Sequence, residues 1–408
     1  MNWSCCYRYR RRKIWLFCSS FGCCFLIWFL WNLTFAVYDR HCSETDSKDL
    51  LEVTCDWYHK GFIIGDLCPA LCERKQIKYE HCTNYKSGKT VLVMSCNNLC
   101  SAEETVPAIL KSHFPNIEKF QEKFMGPDNM MSTTLVEFRF MIEEMIYSSL
   151  GLNFSNSGDV IQKVFEYEYD HYLNPLDDKK YKAFILSVWS LVNQDEYLIT
   201  KLHQHSPLFP KIYHSCGSFY LMEFAPPGSV LNPPVSLFTS YSGSWEERVK
   251  IALKLLDSVL NMESTFHEPI HMCDVKGENF GIGLDGRIKL IDTDSVFFES
   301  KLLQDFATTE KCSSDKDCNF WDCHGLCSEG VCLKQRLNNN LQSICEDVFL
   351  PSLPIFNNGL LRNPPDHIKQ ELSEILQLCT APFYDNMDEK ISKKTYWKLY
   401  NLLQYTVD

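Results

Sequence analysis

Glycine is scarce in this 408-residue chain, 17 residues in all, and no G-x-G-x-x-G run occurs in the first 110 residues. The phosphate cradle of backbone amides that such a run builds is therefore absent there. No two cysteines stand at C-x-x-C spacing, which excludes a thiol-exchange pair of the thioredoxin kind. Cys68 and Cys72 flank Pro69, but no Cys/His pair at zinc-finger spacing follows them, so disulfides are the preferred reading over zinc. Basic charge is not in excess: the formal net charge is -12, and the basic residues that stand out sit at the extreme N-terminus. Non-specific binding to nucleic acid or to an anionic membrane face is thereby excluded. Neither Glu166, Glu168, Asp170, Asp177 and Asp178 nor Asp315, Asp317 and Asp322 carry the Gly at six and Glu at twelve of a helix-loop-helix calcium loop. There is no internal repeat, no long low-complexity linker and no Lys-Asp-Glu-Leu ending.

Cysteine is abundant. Of 21, five lie in or before the first apolar segment and 16 after it, an even number that points to an oxidising compartment and several disulfides. The 45% hydrophobic and 13% aromatic content suffices for a sizeable core. Residues 14–38 carry no formal charge over 25 positions, enough to span a bilayer, which takes roughly 20. Arg8, Arg10, Arg11, Arg12 and Lys13 precede them, so the positive-inside rule leaves the N-terminus in the cytosol and the rest in the lumen. The apolar run exceeds the ~7–15 residues of a cleaved signal peptide, so a signal anchor is expected. The organisation read from the chain is a cytosolic basic tail (1–13), a transmembrane anchor (14–38), a lumenal cysteine-rich segment (39–85) and two further parts, 86–224 and 225–408. The second of these holds a cysteine-dense block at 312–332.

Periodicity predicts strands at 91–94 and 108–111, with Cys96 and Cys100 in the intervening loop placed to pair with each other. Helical spacing predicts helices over 134–150, 181–202 and 245–262, and a mostly helical tail from 366 to 403. A strand–turn–strand covers 211–224, and a hairpin turning at Asp285-Gly286 joins 280–283 to 288–291. Asn153-Phe154-Ser155 is a glycosylation sequon in a polar stretch.

Asp274, Lys276 and Asn279 stand in the order D-x-K-x-x-N. In a phosphotransferase loop of that spacing the Asp accepts a hydroxyl proton, the Lys steadies the transferring phosphoryl group and the Asn binds a metal ion. Asp292 ends a strand 18 residues beyond Asp274, in Asp292-Thr293-Asp294, where a second metal-binding carboxylate belongs. Upstream, Met222-Glu223 ends a strand before a Pro/Gly breaker, as in a nucleotide-binding hinge. Lys111 ends Ala108-Ile109-Leu110-Lys111, similar to the strand whose Lys pairs with nucleotide phosphates. Its expected carboxylate partner is Glu137, with Glu144 the alternative. Met272-Cys273 replaces the usual His-Arg before the loop, and no Ala-Pro-Glu follows it. The cysteine block stands there instead, and a disulfide-pinned segment of one fixed shape is expected.

These stretches, with Gly65-Asp66-Leu67-Cys68, Ser215-Cys216-Gly217-Ser218-Phe219-Tyr220, Asp317-Cys318-Asn319-Phe320-Trp321-Asp322-Cys323 and Asn338-Asn339-Asn340-Leu341-Gln342, resemble the divergent protein kinase domain 1 family of cysteine-rich, type II endoplasmic reticulum proteins. The resemblance covers nearly the whole chain after the anchor. It implies an α+β, divergent two-lobed protein-kinase-like fold, rich in disulfides and preceded by one transmembrane helix. By the resemblance Lys111, Asp274, Asn279 and Asp292 take the roles given above, and with the motif readings the candidate set is Asp274 and Lys276 for catalysis, Lys111, Glu137 and Glu223 for nucleotide binding, and Asn279 and Asp292 for a metal. ATP with Mg or Mn is the implied ligand set. Some relatives carry a calcium-binding loop where residues 166–180 lie, and its pattern is missing here, so calcium is not carried over. Two readings of function follow: a lumenal phosphotransferase acting on a protein or glycan hydroxyl, or a pseudokinase serving as a binding module. The endoplasmic reticulum membrane is the expected location, with the Golgi as the alternative.

Overall fold

The computed structural model describes residues 43–84, 89–101, 104–124, 133–154, 160–165, 178–226, 231, 243–308, 311–350, 359–380 and 388–407. The expected anchor and basic tail, Gly88 and most of the 166–180 stretch lie outside them. Among the described residues no helix is long and apolar enough to cross a membrane.

Five antiparallel strands form the main sheet in the order β1-β2-β3-β5-β4. They are β1 (Ile77–Asn84), β2 (Thr90–Cys96), β3 (Val106–Ser112), β4 (Ile212–Cys216) and β5 (Phe219–Glu223). Strand β2 is rich in residues that suit a pleated, half-buried surface, and its Leu92, Met94 and Cys96 lie in the core at every second position. Strand β3 is central: Lys111 faces Val91 on one side and Tyr220 on the other. That position buries the lysine.

The chain between β3 and β4 is largely helical. Helix α1 (Glu44–His59) precedes the sheet; α2 (Leu135–Leu150), α3 (Asp178–Val192) and α4 (Asp195–Leu202) follow β3. Periodicity ran α3 and α4 together as one helix over 181–202. They separate at Asn193-Gln194 because the buried Gln194 side chain serves three backbone groups elsewhere. Its Nε2 donates to the carbonyls of Ser190 (2.8 Å) and Ser218 (2.9 Å), and its Oε1 accepts from the amide of His113 (2.8 Å). The break redirects α4 towards β3.

Helix α5 (Trp245–Ser264) opens with a capping box between Ser244 and Glu247. It buries Val249, Ala252, Leu256 and Val259, while Leu253 and Leu260, which share the apolar periodicity, are partly buried. Strands β6 (Ile270–Met272) and β9 (Val296–Phe298) pair, as do β7 (Phe280–Ile282) and β8 (Ile288–Leu290), the latter pair being the expected hairpin. A Cβ at Gly281 would lie 1.8 Å from the Ala225 carbonyl oxygen, so only glycine lets the hairpin press against the segment that follows β5. The cysteine block folds as β10 (Gly325–Ser328) and β11 (Val331–Arg336). The tail ends in α6 (Lys369–Cys379) and α7 (Asp388–Tyr405).

All 15 cysteines among the described residues are disulfide-bonded. Cys96 pairs with Cys100, as read from the sequence. Cys68 and Cys72, the only candidate half zinc site, instead pair with Cys216 and Cys55. The block is stapled by Cys312–Cys327 and Cys318–Cys332, and Cys345 bonds Cys379. The proximity of Cys312, Cys318 and Cys332 is thus that of two disulfides and leaves no thiolates for a metal.

Candidate active site

A buried ammonium is unfavourable without a compensating carboxylate. Lys111, 6% exposed, finds one in Glu196 at the start of α4: Nζ lies 2.5 Å from Oε1. The same Nζ donates to the Ile291 carbonyl at 2.6 Å, which ties β3 to the residue before Asp292. The sequence-based choice of Glu137 is corrected here. Glu137 is exposed and serves as the third residue of a capping box, its Oε2 accepting from Thr134 N (2.8 Å) and Oγ1 (2.9 Å). Those bonds lower its pKa. Glu144 is exposed on the same helix. Thr134-x-x-Glu137 is the sequence signature of such a cap, and it was the better clue.

Glu196 also holds a second lysine. Lys89, just before β2, lies 2.6 Å from Glu196 Oε2, 2.9 Å from Asp292 Oδ1 and 3.1 Å from Asp294 Oδ2. Burial pushes the Glu196 carboxyl up, but the ammoniums of Lys111 and Lys89, with His113, hold it well below the usual carboxylate range. Burial, then the Glu196 charge, raises the Asp294 carboxyl.

Below the sheet, β6 delivers the 274–279 loop. Asp274 Oδ2 accepts from Lys276 Nζ (2.8 Å) and Asn279 Nδ2 (3.0 Å), and Asn279 Nδ2 also bonds the Asp274 carbonyl (2.9 Å). Among the described residues Asp274 Oδ1 accepts no hydrogen bond. The cysteine block clamps this loop from behind. Cys273 is disulfide-bonded to Cys323; Asp322 N donates to the Cys273 carbonyl (2.9 Å); Asp322 Oδ2 accepts from Val275 N (2.6 Å). The pinned segment expected from sequence therefore acts on the loop that carries Asp274.

A cleft of about 570 Å³ runs between the sheet and this loop. Its walls include Val91, Val93, Ile109 and Met222, and its polar lining includes Lys89, Lys111, Lys276, Asn279 and Asp292. A mostly apolar concavity with a few convergent polar groups is the usual form of a small-ligand site. Glu223 lines the cleft too, but its carboxylate is engaged elsewhere, accepting from Lys211 N (3.2 Å) and Leu284 N (3.0 Å). It braces the hinge, and any contact to a ligand there falls to backbone atoms. The oxygen donors of Asn279 and Asp292 are of the hard kind that suits Mg or Mn, and both face the cleft.

Behind the loop, Arg336 is partly buried and fans out to His271 Nδ1 (2.7 Å), Asn338 Oδ1 (3.0 Å) and Asn340 Oδ1 (3.2 Å). Loss of hydration lowers its pKa to about 9. His271, partly buried beside that guanidinium, is pushed down to about 3 and stays neutral, accepting on Nδ1. An unfolded histidine takes its proton near pH 6.5, the folded one only near 3, so stability is lost as pH falls below about 6.5. Between pH 7 and 5.5 this group alone is expected to cost about 1 kcal/mol of unfolding free energy. His203, buried with a lowered pKa, acts in the same direction. Denaturant titrations of wild type and His271→Gln at both pH values check this; parallel pH dependences would sink it.

Of the residues read from sequence, Lys111, Lys276, Glu223, Asn279 and Asp292 line one cleft, and Asp274 is bonded to two of them. Glu137 stands apart. The residues that sequence reading missed are Glu196, Lys89, His113 and Asp294. Only Asp294 sat inside a quoted motif.

Two family models match the chain. One, described as the N-terminal cysteine-rich ER part of FAM69, matches residues 8–164. The other, described as the protein-kinase domain of FAM69, matches residues 188–382. The sheet draws on both: β1 to β3, with Lys111, fall in the first, and β4 and β5 in the second. The Lys111–Glu196 pair bridges the two matched stretches, so the cleft is complete only when both are present. The chain belongs to the FAM69 family, joining its cysteine-rich ER segment to its divergent protein-kinase domain.

Proposed function

We propose that this protein is a phosphotransferase of the endoplasmic reticulum lumen, moving a phosphoryl group from ATP to a hydroxyl of a lumenal protein or glycan. The observation that carries the reading is the single cleft lined by Lys111, Lys276, Asn279 and Asp292, with Asp274 held at its edge. In the reaction the bond between the terminal phosphorus and its bridging oxygen breaks, and a bond to the substrate oxygen forms. The hydroxyl proton goes to Asp274 Oδ1, and a nucleoside diphosphate leaves. Lys276 and Asn279 fix the Asp274 carboxylate by its other oxygen, which orients Oδ1 for that transfer. Lys111, locked by Glu196, presents a fixed positive charge to the nucleotide phosphates. Asn279 and Asp292 would hold Mg or Mn, which when bound neutralises phosphate oxygens. In this reading the 14–38 segment anchors the chain as a single-pass type II protein. Exposed Asn153 takes a glycan in the lumen.

The test is thermal unfolding of the full-length protein in mild detergent, with ATP and either Mg or Mn. A ligand bound only by the folded state, at 100 times its Kd, stabilises by about 2.7 kcal/mol. Stabilisation of that order, lost in Asp292→Ala, is the expected result. No stabilisation at millimolar nucleotide in folded protein would overturn the reading. One observation favours the second reading, a pseudokinase: the Lys89 ammonium already rests on Asp292. Nucleotide binding without autophosphorylation or phosphate release would support that alternative.

A further inference from the structure

Lys89 lines the cleft, yet its ammonium is turned into a nest of three carboxylates, with the side chain 12% exposed. Glu196, Asp292 and Asp294 each place one oxygen within 3.1 Å of Nζ. His113 stands beside them, its buried Nε2 without a hydrogen-bond partner among the described residues, 3.5 Å from Asp294 Oδ1 and 3.7 Å from Glu196 Oε2. Oxygen atoms converging from three carboxylates, with an imidazole nitrogen at their edge, form the donor set of a divalent cation. Here a lysine fills it. Three carboxylates face two ammoniums, Lys89 and Lys111, so the ammoniums offset most of the negative charge and one unit remains.

We propose that Lys89 is a tethered counter-ion that competes with a divalent cation for Asp292 and Asp294. The inference rests on the metal-and-nucleotide reading of the cleft and adds a control to it. A second cation on Asp292 would meet the ammonium at short range, and like charges at such a separation repel strongly away from bulk water. The nucleotide-free protein therefore binds Mg or Mn weakly. Occupation by metal requires Lys89 to leave the nest, and the cleft that it lines is the space open to it. There its charge faces the position where phosphates would lie, so one side chain exchanges a carboxylate partner for a phosphate partner as metal enters.

Mn²⁺ is the probe, followed by electron paramagnetic resonance with the full-length protein and no nucleotide. Lys89→Met is expected to bind Mn²⁺ at least about tenfold tighter than wild type, and Lys89→Arg to stay near wild type, because the charge decides. Equal affinity of Lys89→Met and wild type would overturn the proposal. If Lys89→Met does not fold, acylation of lysines in the wild type replaces it. Lys89 should be protected without metal and become reactive in saturating Mn²⁺, and reactivity unchanged by Mn²⁺ would overturn the proposal equally. ATP–Mn stabilisation that needs Asp292 but is indifferent to Lys89 would remove this inference and leave the phosphotransferase reading standing. Absence of any nucleotide binding would remove that reading instead.

Discussion

Glu196→Gln is expected to lower the unfolding free energy by about 3–5 kcal/mol, the usual cost of removing one partner from a buried ion pair. Glu196 is 1% exposed and is the shared partner of Lys111 and Lys89. An amide would leave both ammoniums facing a neutral group. Lys89 retains Asp292 and Asp294, so most of the loss falls on Lys111, whose remaining partner among the described residues is the Ile291 carbonyl. The measurement is denaturant unfolding of the full-length protein in detergent. A second variant, Lys111→Met with Glu196→Met, should regain much of the loss, since a packed apolar pair often replaces a buried ion pair without penalty. A cost below about 1 kcal/mol for Glu196→Gln would mean that the pair behaves like a surface one. Glu137→Gln gives the contrast: its bonds cap an exposed helix end, and a far smaller loss is expected there.

The second large effect is expected at Cys273–Cys323. These fully buried cysteines close a loop of sequence separation 50. Loop-closure entropy then gives about 4 kcal/mol of stabilisation, against about 2 kcal/mol for Cys96–Cys100 at separation 4. The pair Cys273→Ala with Cys323→Ala should therefore cost about twice what the pair at 96 and 100 costs. It should also do something that the other pair does not. Cys273 precedes Asp274, and the disulfide brings Asp322 to the Val275 amide. Without it the loop holding Asp274, Lys276 and Asn279 loses its rear clamp, and stabilisation by ATP with Mn should shrink. Melting curves of both double variants, with and without nucleotide, separate the two contributions. Equal nucleotide responses in the two would mean that the clamp does not reach the cleft.

The parts legible in the sequence are those where chemistry is set by short offsets. Asp274, Lys276 and Asn279 lie within six residues, and Asp292 follows across one hairpin, so local strand and turn signals placed them together. The expected hairpins and the helices over 134–150 and 245–262 fell within a few residues of those observed because their apolar periodicity is strong. Cys96 and Cys100 were readable as a pair because nothing but a loop separates them. The abundance and even number of the cysteines after residue 38 likewise spoke for disulfides without specifying them.

Tertiary structure decided the rest. Glu196 replaces Glu137 as the partner of Lys111 because Gln194, by bonding His113, Ser190 and Ser218, ends one helix and turns the next towards β3. That turn depends on backbone groups from two distant stretches, which no window of sequence contains. Lys89 carries no pattern of its own, and its place beside Glu196 is completed only once Asp292 and Asp294, 203 and 205 positions away, are packed against it. Cys68 found Cys216 across 148 residues, where spacing carries no information and only the fold brings the sulfurs within bonding distance. The sequence by itself determined which polar groups come together around the 274–279 loop and the hairpin after it, and that the chain is stapled by disulfides. Which carboxylate meets which ammonium was decided by burial, because a charge withdrawn from water takes whatever partner the packing leaves beside it.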